Sequence, residues 1–292
     1  MENTRYDYSP IIARKPFKLP NQAKVAVWVI PNIEYFDIGL PLPSTMVSKQ
    51  IAPDVKNYAA RDYGTRIGIW RLMEVLDKHS IKATVALNSG VCDHHPVIIE
   101  EGKKRGWEFM GHSVTNSMHL HGLTRSEERQ VITSTLDTIA QAVGERPRGW
   151  LSPGLSETFN SPDILAEEGV KYLCDWCNDD QPYPMRVKKG SLISIPYSID
   201  INDIGIFIEH HLTPNQFYEI VKDQFDTLYQ EGSNQARIMA IALHPFIIGA
   251  PFRIGWLDKA LQYIKSHNDV WFATGWEIAG WYYDNYMGAE RS

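Results

Sequence analysis

The stretch that decides the fold is Lys24-Val25-Ala26-Val27-Trp28-Val29-Ile30, a run that is almost entirely apolar and rich in β-branched residues. Strands of parallel sheets have this composition, because helices cover both of their faces. The segment Asn32-Ile33-Glu34-Tyr35 follows, so a carboxylate stands where the strand ends. Since α/β barrels keep their active sites at the carboxyl ends of their strands, Glu34 is a candidate functional residue.

Two histidines occupy similar positions further along the chain. His112 comes after the short apolar run Trp107-Glu108-Phe109-Met110-Gly111, and His244 comes after Met239-Ala240-Ile241-Ala242-Leu243. Each run predicts a buried strand, so each histidine is expected at a strand end. An imidazole can donate and accept a proton near neutral pH, which suits acid–base chemistry. We therefore expect Glu34, His112 and His244 to meet at one edge of a sheet.

Strand and helix signals alternate along the rest of the chain, as they do in parallel βα units. Residues 1–23 contain three prolines and predict an irregular arm, and residues 37–62 predict a long loop. The predicted strands also include 83–87, 149–151, 172–174, 193–195 and 271–273, and the predicted helices are 64–78, 96–105, 126–144, 161–168, 214–231 and 255–266. Their uneven spacing favours an α/β fold built as a distorted barrel.

Charge and composition exclude some classes of partner. The chain has 292 residues, 29 of them basic and 35 acidic, and its net charge of −6 argues against a nucleic-acid partner. No apolar run reaches the length of a membrane span, and residues 1–18 lack the apolar core of a signal peptide, so we expect a cytoplasmic protein. The three cysteines, Cys92, Cys174 and Cys177, are expected to be reduced and partly buried.

The apolar neighbours of Glu34 suggest a desolvated carboxylate. Desolvation disfavours the charged form, so the sequence predicts a raised pKa and a role as a base near neutral pH. The alternative is a purely structural carboxylate that pairs with Arg66 at the end of the strand.

Six segments of the chain form a recognisable set of motifs. They are Asn32–Tyr35, Tyr63–Arg71, Gly111–Ser113, Gly144–Trp150, Ile195–Asp203, and Leu243–Pro245 with Gly249 and Pro251. Together they resemble the polysaccharide deacetylase (NodB-homology) family, and in particular its allantoinase-like branch, from Lys24 to Trp281. The resemblance implies an incomplete (β/α) barrel, with residues 1–292 as a single domain, and hydrolysis of a carbon–nitrogen amide bond.

The chain departs from the family at its metal site. Metal-dependent members carry two adjacent aspartates after the first strand, of which the first is the base and the second binds the metal, and two histidines four residues apart. Glu34 and Tyr35 stand at the aspartate positions here, and Asn116 stands at the second histidine. Only His112 remains of the three expected ligands.

Catalytic zinc normally takes three protein ligands, so we expect no metal and no other cofactor. The alternative is zinc held through His112 by ligands that are not those of the family, supplied by His119 or His121.

The resemblance implies a small cyclic substrate. Allantoinase-like members also lack the metal triad and open a cyclic amide, and a similar group hydrolyses cyclic imides. A ring with two carbonyls beside one nitrogen is electrophilic enough to be opened by water, a base and oriented donors. We expect a hydrolase that opens a succinimide- or maleimide-like ring to its half-amide. The alternatives are an allantoinase-like ureide amidohydrolase, a glycan N-deacetylase, and a non-catalytic barrel that binds a small molecule.

Each candidate residue has an expected role in that reaction. Glu34 and His112 position and deprotonate the attacking water, and His244 protonates the leaving nitrogen. The developing oxyanion is stabilised by Tyr35, Asn116 or backbone amides near 150–152. Arg66 binds a carbonyl or carboxylate of the substrate, unless it pairs with Glu34. The predicted substrate-binding residues are Tyr35, Arg66, Asn116, Trp150, Ser152 and Phe246, of which Trp150 and Phe246 form an apolar slot.

The aromatic segment Trp276–Tyr283 suggests contact with a second subunit. Because related barrels are commonly oligomeric, the resemblance implies a homodimer or homotetramer.

Overall fold

The central strand is the one that the sequence indicated. The computed structural model describes residues 3–40 and 52–287, and β1, Val25–Ile33, is buried along its whole length. It pairs in parallel with β8, Arg237–Leu243, over seven residues from Val25–Arg237 to Pro31–Leu243. On its other side it pairs with β9, Val270–Phe272, near its start and with β2, Thr84–Leu87, near its end. Helix-covered parallel strands of this kind explain the apolar composition of β1.

The sheet continues from β2 through shorter strands and curls into a half-barrel. The order is β6-β7-β5-β4-β3-β2-β1-β8, and all pairings are parallel except that of β6 with β7. The predicted distorted, incomplete (β/α) barrel is confirmed. The remaining strands are β3, Glu108–Gly111; β4, Gly149–Trp150; β5, Tyr172–Leu173; β6, Tyr183–Met185; and β7, Leu192–Ser194.

Helices cover the sheet, and their ends follow local sequence signals. The helix α5 begins at a capping box in which Thr124 and Glu127 bond each other's backbone, and it ends at Gly144 in the left-handed conformation. The α-helices are α1, Val55–Tyr63; α2, Ile69–Lys78; α3, Gly90–His94; α4, Pro96–Lys104; α5, Arg125–Val143; α6, Ser161–Glu167; α7, Pro214–Glu231; α8, Pro245–Ile248; α9, Pro251–Lys265; and α10, Gly275–Asn285. Two π-helical turns, Gly64–Gly68 and Gly205–Glu209, complete the set.

The segment around residue 60 differs from its prediction. The predicted helix 64–78 is the last part of a longer helical stretch, because α1 and the π-helical turn precede α2 without a break. Helix α1 therefore occupies the end of the predicted loop 37–62, of which residues 41–51 lie outside the described part. The strand β6 and the helices α3 and α10 were also not predicted.

Two glycines let the π-helical turn Gly64–Gly68 touch another backbone. A Cβ on Gly64 would lie 2.6 Å from the backbone nitrogen of Phe246, and one on Gly68 would lie 2.0 Å from the carbonyl oxygen of Pro245. Both distances are far below van der Waals contact, so larger residues do not fit. The turn is thus docked directly on the segment that follows His244.

The two ends of the chain pack against the barrel. In the predicted arm, Arg5 forms an ion pair with Asp163 at 3.1 Å, and the Arg14 guanidinium bonds Asp179 at 2.7 Å. The indole N–H of Trp281 donates to the carbonyl of Lys18 at 2.9 Å, so this part of the aromatic segment covers its own arm.

The three thiols are not paired with one another. Burial raises the pKa of Cys92 to about 11 and that of Cys177 to about 12. Among the helices of the described residues, none is both long enough and apolar enough to cross a membrane.

Candidate active site

The carboxyl ends of β1, β3 and β8 open into one cavity of about 480 Å³. Glu34 follows β1, His112 follows β3 and His244 follows β8, so the three predicted catalytic residues share this cavity. Its size lies in the range of small-molecule binding pockets. The lining consists of Asn32, Glu34, Phe36, Asn57, Arg61, His112, Asn116, His119, Leu151, Ser152, Gly154, Leu155, Tyr197, Ile199, Asn202, Ile204, Gly205, Ile208, Glu209, His244 and Phe246.

Glu34 lies between the two imidazoles. Its Oε1 is 3.7 Å from Nε2 of His112 and 3.7 Å from Nε2 of His244, and the side-chain amide of Asn116 donates to the same oxygen. Burial by itself would raise the pKa of Glu34, but His112, His244 and Arg61 together lower it below its ordinary value. The predicted raised pKa is therefore wrong, because these partners outweigh desolvation. Glu34 is a carboxylate at neutral pH.

His244 is held directly by a second carboxylate, Asp203. The His244 Nδ1 lies 2.6 Å from Asp203 Oδ1, and the other oxygen of Asp203 accepts the backbone N–H groups of His244 and Ile248 at 2.8 and 3.2 Å. Burial alone would lower the pKa of His244, but Asp203 and then Glu34 raise it above its ordinary value. Since Nδ1 donates to Asp203, the Nε2 proton of the imidazolium points to Glu34 and the cavity.

The sequence analysis missed Asp203. No strand pattern precedes it, but a parallel bridge between Asn202 and Ala242 brings its segment beside β8. The one available signal was its place at the end of the motif Ile195–Asp203.

His112 has a neutral partner. Its Nδ1 lies 2.6 Å from the carbonyl oxygen of Leu151. A carbonyl can only accept a hydrogen bond, so Nδ1 carries a proton, and in the neutral form of the ring the unprotonated nitrogen is Nε2, which faces Glu34. That nitrogen can accept a proton from water.

Asn88 connects the segments that carry these groups. It is fully buried after β2, and its side-chain amide donates to the carbonyl of His112 and, at 3.0 Å, to the side-chain oxygen of Asn116. Its own oxygen accepts the backbone N–H of Tyr35 at 2.9 Å. Asn88 thus ties the ends of β1 and β3 together. The sequence analysis missed it, although it also follows a predicted strand.

Three of the six predicted substrate-binding residues line the cavity, namely Asn116, Ser152 and Phe246. Tyr35 does not, because its ring turns away and stacks on His94 with 4.3 Å between ring centres. Trp150 is fully buried, with its indole N–H donating to Ser152 Oγ at 3.0 Å, so it supports the cavity wall from behind.

Arg66 is also outside the cavity, and Arg61 stands in its place. The Arg66 side chain is 74% exposed and pairs with Asp62 at 3.5 Å, not with Glu34. The Arg61 guanidinium lies over the rings of Phe36 and Phe246, at 4.6 and 5.3 Å from their centres. The sequence analysis missed Arg61 because it lies on α1, within the predicted loop. Among the described residues, its guanidinium is the arginine or lysine group in the cavity lining.

The backbone amides expected to stabilise the oxyanion already donate hydrogen bonds to other groups of the protein. The N–H of Leu151 donates to the carbonyl of Gly111 at 3.0 Å, and the N–H of Ser152 donates to Asp175 at 2.7 Å. Asn116 is a donor in the cavity, but its amide contacts Glu34. Arg61 is consequently the side chain best placed to oppose negative charge on a substrate oxygen.

The residues at the family's metal site do not fit a metal. Tyr35 turns away from His112, and Asn116 presents an amide nitrogen to Glu34, where the family pattern requires two further ligands. His119 lines the cavity but its Nδ1 lies 3.2 Å from Ser156 Oγ. Residues 3–40 and 52–287 contain no group of three His, Cys, Asp or Glu side chains arranged to hold a metal ion.

Comparisons with known proteins agree with the motifs. A family model described as polysaccharide deacetylase matches residues 58–173. The putative polysaccharide deacetylase of Schizosaccharomyces pombe is 27% identical over 297 residues, which cover 89% of this chain and 90% of that protein.

Solved structures match over almost the whole chain. PuuE allantoinase has a TM-score of 0.85 and 26% identity, covering 96% of this chain and 99% of its own. A probable polysaccharide deacetylase from Pseudomonas aeruginosa has a TM-score of 0.86 and 26% identity, covering 94% and 97%. The predicted resemblance is confirmed: a polysaccharide deacetylase family model matches residues 58–173, and the similarity to PuuE allantoinase fits the branch that the motifs indicated.

Proposed function

We propose that this chain is a hydrolase that opens the carbon–nitrogen bond of a small cyclic imide or amide. The polysaccharide deacetylase domain supports hydrolase activity in general. The observation that carries the narrower proposal is the buried Glu34 carboxylate between two imidazoles that have different partners. A carbonyl oxygen lies behind His112, and a carboxylate lies behind His244.

The first step is the activation of water. A water held by Glu34 Oε1 and His112 Nε2 gives up one proton to this pair and attacks the ring carbonyl carbon. The lowered pKa of Glu34 keeps it ionised and able to hold that water at neutral pH. The Arg61 guanidinium opposes the negative charge that forms on the carbonyl oxygen.

The second step is the departure of the nitrogen. When the tetrahedral carbon collapses, the carbon–nitrogen bond breaks and its electron pair goes to nitrogen. His244 Nε2 supplies the proton that nitrogen takes up, and Asp203 stabilises the imidazolium before the transfer. The raised pKa of His244, caused by Asp203 and then Glu34, favours retention of this proton. The product is the ring-opened half-amide.

The ring is inferred from what the site offers. The donor set does not fit a Lewis-acidic metal, so an electrophilic carbonyl is favoured, and an imide has two carbonyls beside one nitrogen. Phe36 and Phe246 give the cavity flat apolar walls that suit a planar ring. A glycan N-deacetylase is the less favoured alternative, because an acetamido group is less electrophilic than an imide.

An allantoinase-like ureide amidohydrolase is the second candidate. It is favoured by the fit to the solved allantoinase over 96% of this chain. A panel of succinimide, maleimide, hydantoin and allantoin separates the two. The higher kcat/KM on the imides is expected.

The catalytic roles are tested by substitution. Glu34→Gln and His244→Ala should each lower kcat on succinimide by at least about 10²-fold. His210→Ala removes an exposed imidazole and serves as the matched control, with unchanged activity expected. Circular dichroism checks that each variant folds. Full activity of Glu34→Gln or His244→Ala would remove that residue from the mechanism.

We also propose that turnover needs no bound metal. Protein treated with a chelator should keep its activity, and elemental analysis should find less than one metal per chain. Stoichiometric zinc whose removal abolishes turnover would refute this and would support the alternative zinc site at His112.

A further inference from the structure

Asp175 lies behind His112 at the ends of three neighbouring strands. His112 follows β3, the Leu151–Ser152 peptide follows β4, and Asp175 follows β5, and these strands are adjacent in the sheet. The Leu151 carbonyl accepts His112 Nδ1 at 2.6 Å, and the Ser152 N–H donates to Asp175 Oδ1 at 2.7 Å. The carbonyl of residue 151 and the N–H of residue 152 belong to one peptide group. A single planar group therefore connects the carboxylate to the imidazole.

We propose that Asp175 is a positioning residue that holds and polarises His112 through the Leu151–Ser152 peptide group. The proposal rests on the proposed function, in which His112 Nε2 receives a proton from water. Asp175 does not line the cavity and acts only through the peptide.

The physical basis is the cooperativity of hydrogen bonds in a chain. A carboxylate that accepts a peptide N–H makes a charge-assisted bond and draws that proton toward itself. The electron density of the peptide shifts toward its carbonyl oxygen, which becomes a stronger acceptor for the Nδ1 proton of His112. The ring is then held in one tautomer and one plane, with Nε2 directed at Glu34.

Of the two neighbouring carboxyl groups, Glu157 stays protonated and Asp175 carries the negative charge. Burial and then the charge of Asp175 raise the pKa of Glu157 to about 9, whereas burial raises that of Asp175 only to about 6. Near neutral pH Glu157 is protonated and Asp175 is ionised. The half-buried Asp175 accepts the Ser152 N–H at Oδ1, and its contact with Ser152 favours the ionised carboxylate.

The test uses Asp175→Asn, which keeps an oxygen acceptor for the Ser152 N–H but removes the charge. The first measurement is the low-field proton resonance of the His112 Nδ1–H group in histidine-labelled protein without substrate, assigned by its loss in His112→Gln. The resonance should move upfield in Asp175→Asn, because the carbonyl is less polarised. Glu157→Gln replaces one neutral group with another and is the matched control, with no change expected.

The second measurement is the rate of imide hydrolysis. Asp175→Asn should lower kcat about tenfold and leave KM unchanged, since the tautomer and not the substrate pocket is affected. Asp175→Glu, which restores the charge, should recover part of kcat. An unchanged resonance and an unchanged kcat in folded Asp175→Asn would overturn the proposal.

A third measurement needs no variant at Asp175. The ¹⁵N shifts of His112 in the unmodified protein should show a protonated Nδ1 in the neutral ring, and a protonated Nε2 would also overturn the proposal. If no imide is hydrolysed, the proposed function fails while the resonance measurements still decide whether Asp175 polarises His112.

Discussion

The two histidines of the site differ in what lies behind them. His244 contacts the Asp203 carboxylate directly at 2.6 Å, whereas His112 contacts a neutral carbonyl at the same distance. A carboxylate stabilises a positive imidazolium, and a carbonyl only fixes which nitrogen carries the proton. Two imidazoles that face the same Glu34 oxygen are thereby prepared for opposite roles. In the proposed mechanism, the partner on the far side of each ring distinguishes the acid from the base.

The largest expected effect comes from breaking the direct contact. Asp203→Asn keeps the size of the side chain but removes the charge that stabilises the His244 imidazolium. We expect kcat on succinimide to fall about 10²- to 10⁴-fold, well beyond the effect of Asp175→Asn. Steady-state kinetics of the two variants side by side measure the difference between a direct and a relayed carboxylate.

Asp200→Asn is the matched control for Asp203→Asn. Asp200 is exposed and three residues away, so its variant should retain full activity. Equal losses of kcat in Asp203→Asn and Asp175→Asn would contradict the comparison, because they would show that the direct carboxylate and the relayed carboxylate contribute equally.

A smaller effect is expected from Arg61, the arginine in the cavity lining. Arg61→Gln should raise KM and lower kcat/KM by about tenfold, because a charge-assisted contact to a substrate oxygen is lost. Arg66→Gln changes an exposed residue five positions later and should be close to neutral. The reverse result would restore the role first expected of Arg66 and would remove Arg61 from the site.

The smallest effect is a dependence of stability on pH. The pKa of folded His244 is raised, so the ion pair with Asp203 stabilises the folded state fully below the unfolded pKa of about 6.5. This contribution is lost as pH rises through the folded pKa. We expect the unfolding free energy of the unmodified protein to exceed that of His244→Gln by about 1 kcal/mol more at pH 6 than at pH 9.

Urea unfolding at the two pH values measures this difference. The lowered pKa of Glu34 acts only at more acidic pH and does not enter this window. In an Asp203→Asn background the pH-dependent difference should largely disappear, and its persistence would assign it to a group other than this pair.

The sequence predicted the barrel and the three central residues because both follow from local patterns. Apolar runs mark buried parallel strands, and parallel strands bring their carboxyl ends to one edge, so Glu34, His112 and His244 could be expected to meet. Asp203 and Asp175 could not be found in this way. Asp203 reaches His244 because its segment pairs beside β8, and Asp175 acts on His112 through a peptide group. Both contacts depend on long-range packing.

The pKa of Glu34 illustrates the same limit. The apolar neighbours of Glu34 in sequence indicated desolvation, which is indeed its largest single influence. The opposing influences of His112, His244 and Arg61 come from three distant segments of the chain. Arg61 was also hard to predict because it lies in the irregular helical stretch that begins at residue 55. A π-helical turn in that stretch breaks the usual spacing of apolar residues along a helix.

The glycine contact between the π-helical turn and the segment after His244 bears on how the enzyme could diversify. Backbone meets backbone at Gly64 and Gly68, so no side chain is available there to adjust the gap between Arg61 and His244 by its size. On that side of the cavity the backbone contact sets a fixed spacing. Elsewhere in the cavity lining, Ile204 and Ile208 carry side chains that other residues can replace. Changes in the size of the accepted ring should therefore accumulate at these isoleucines.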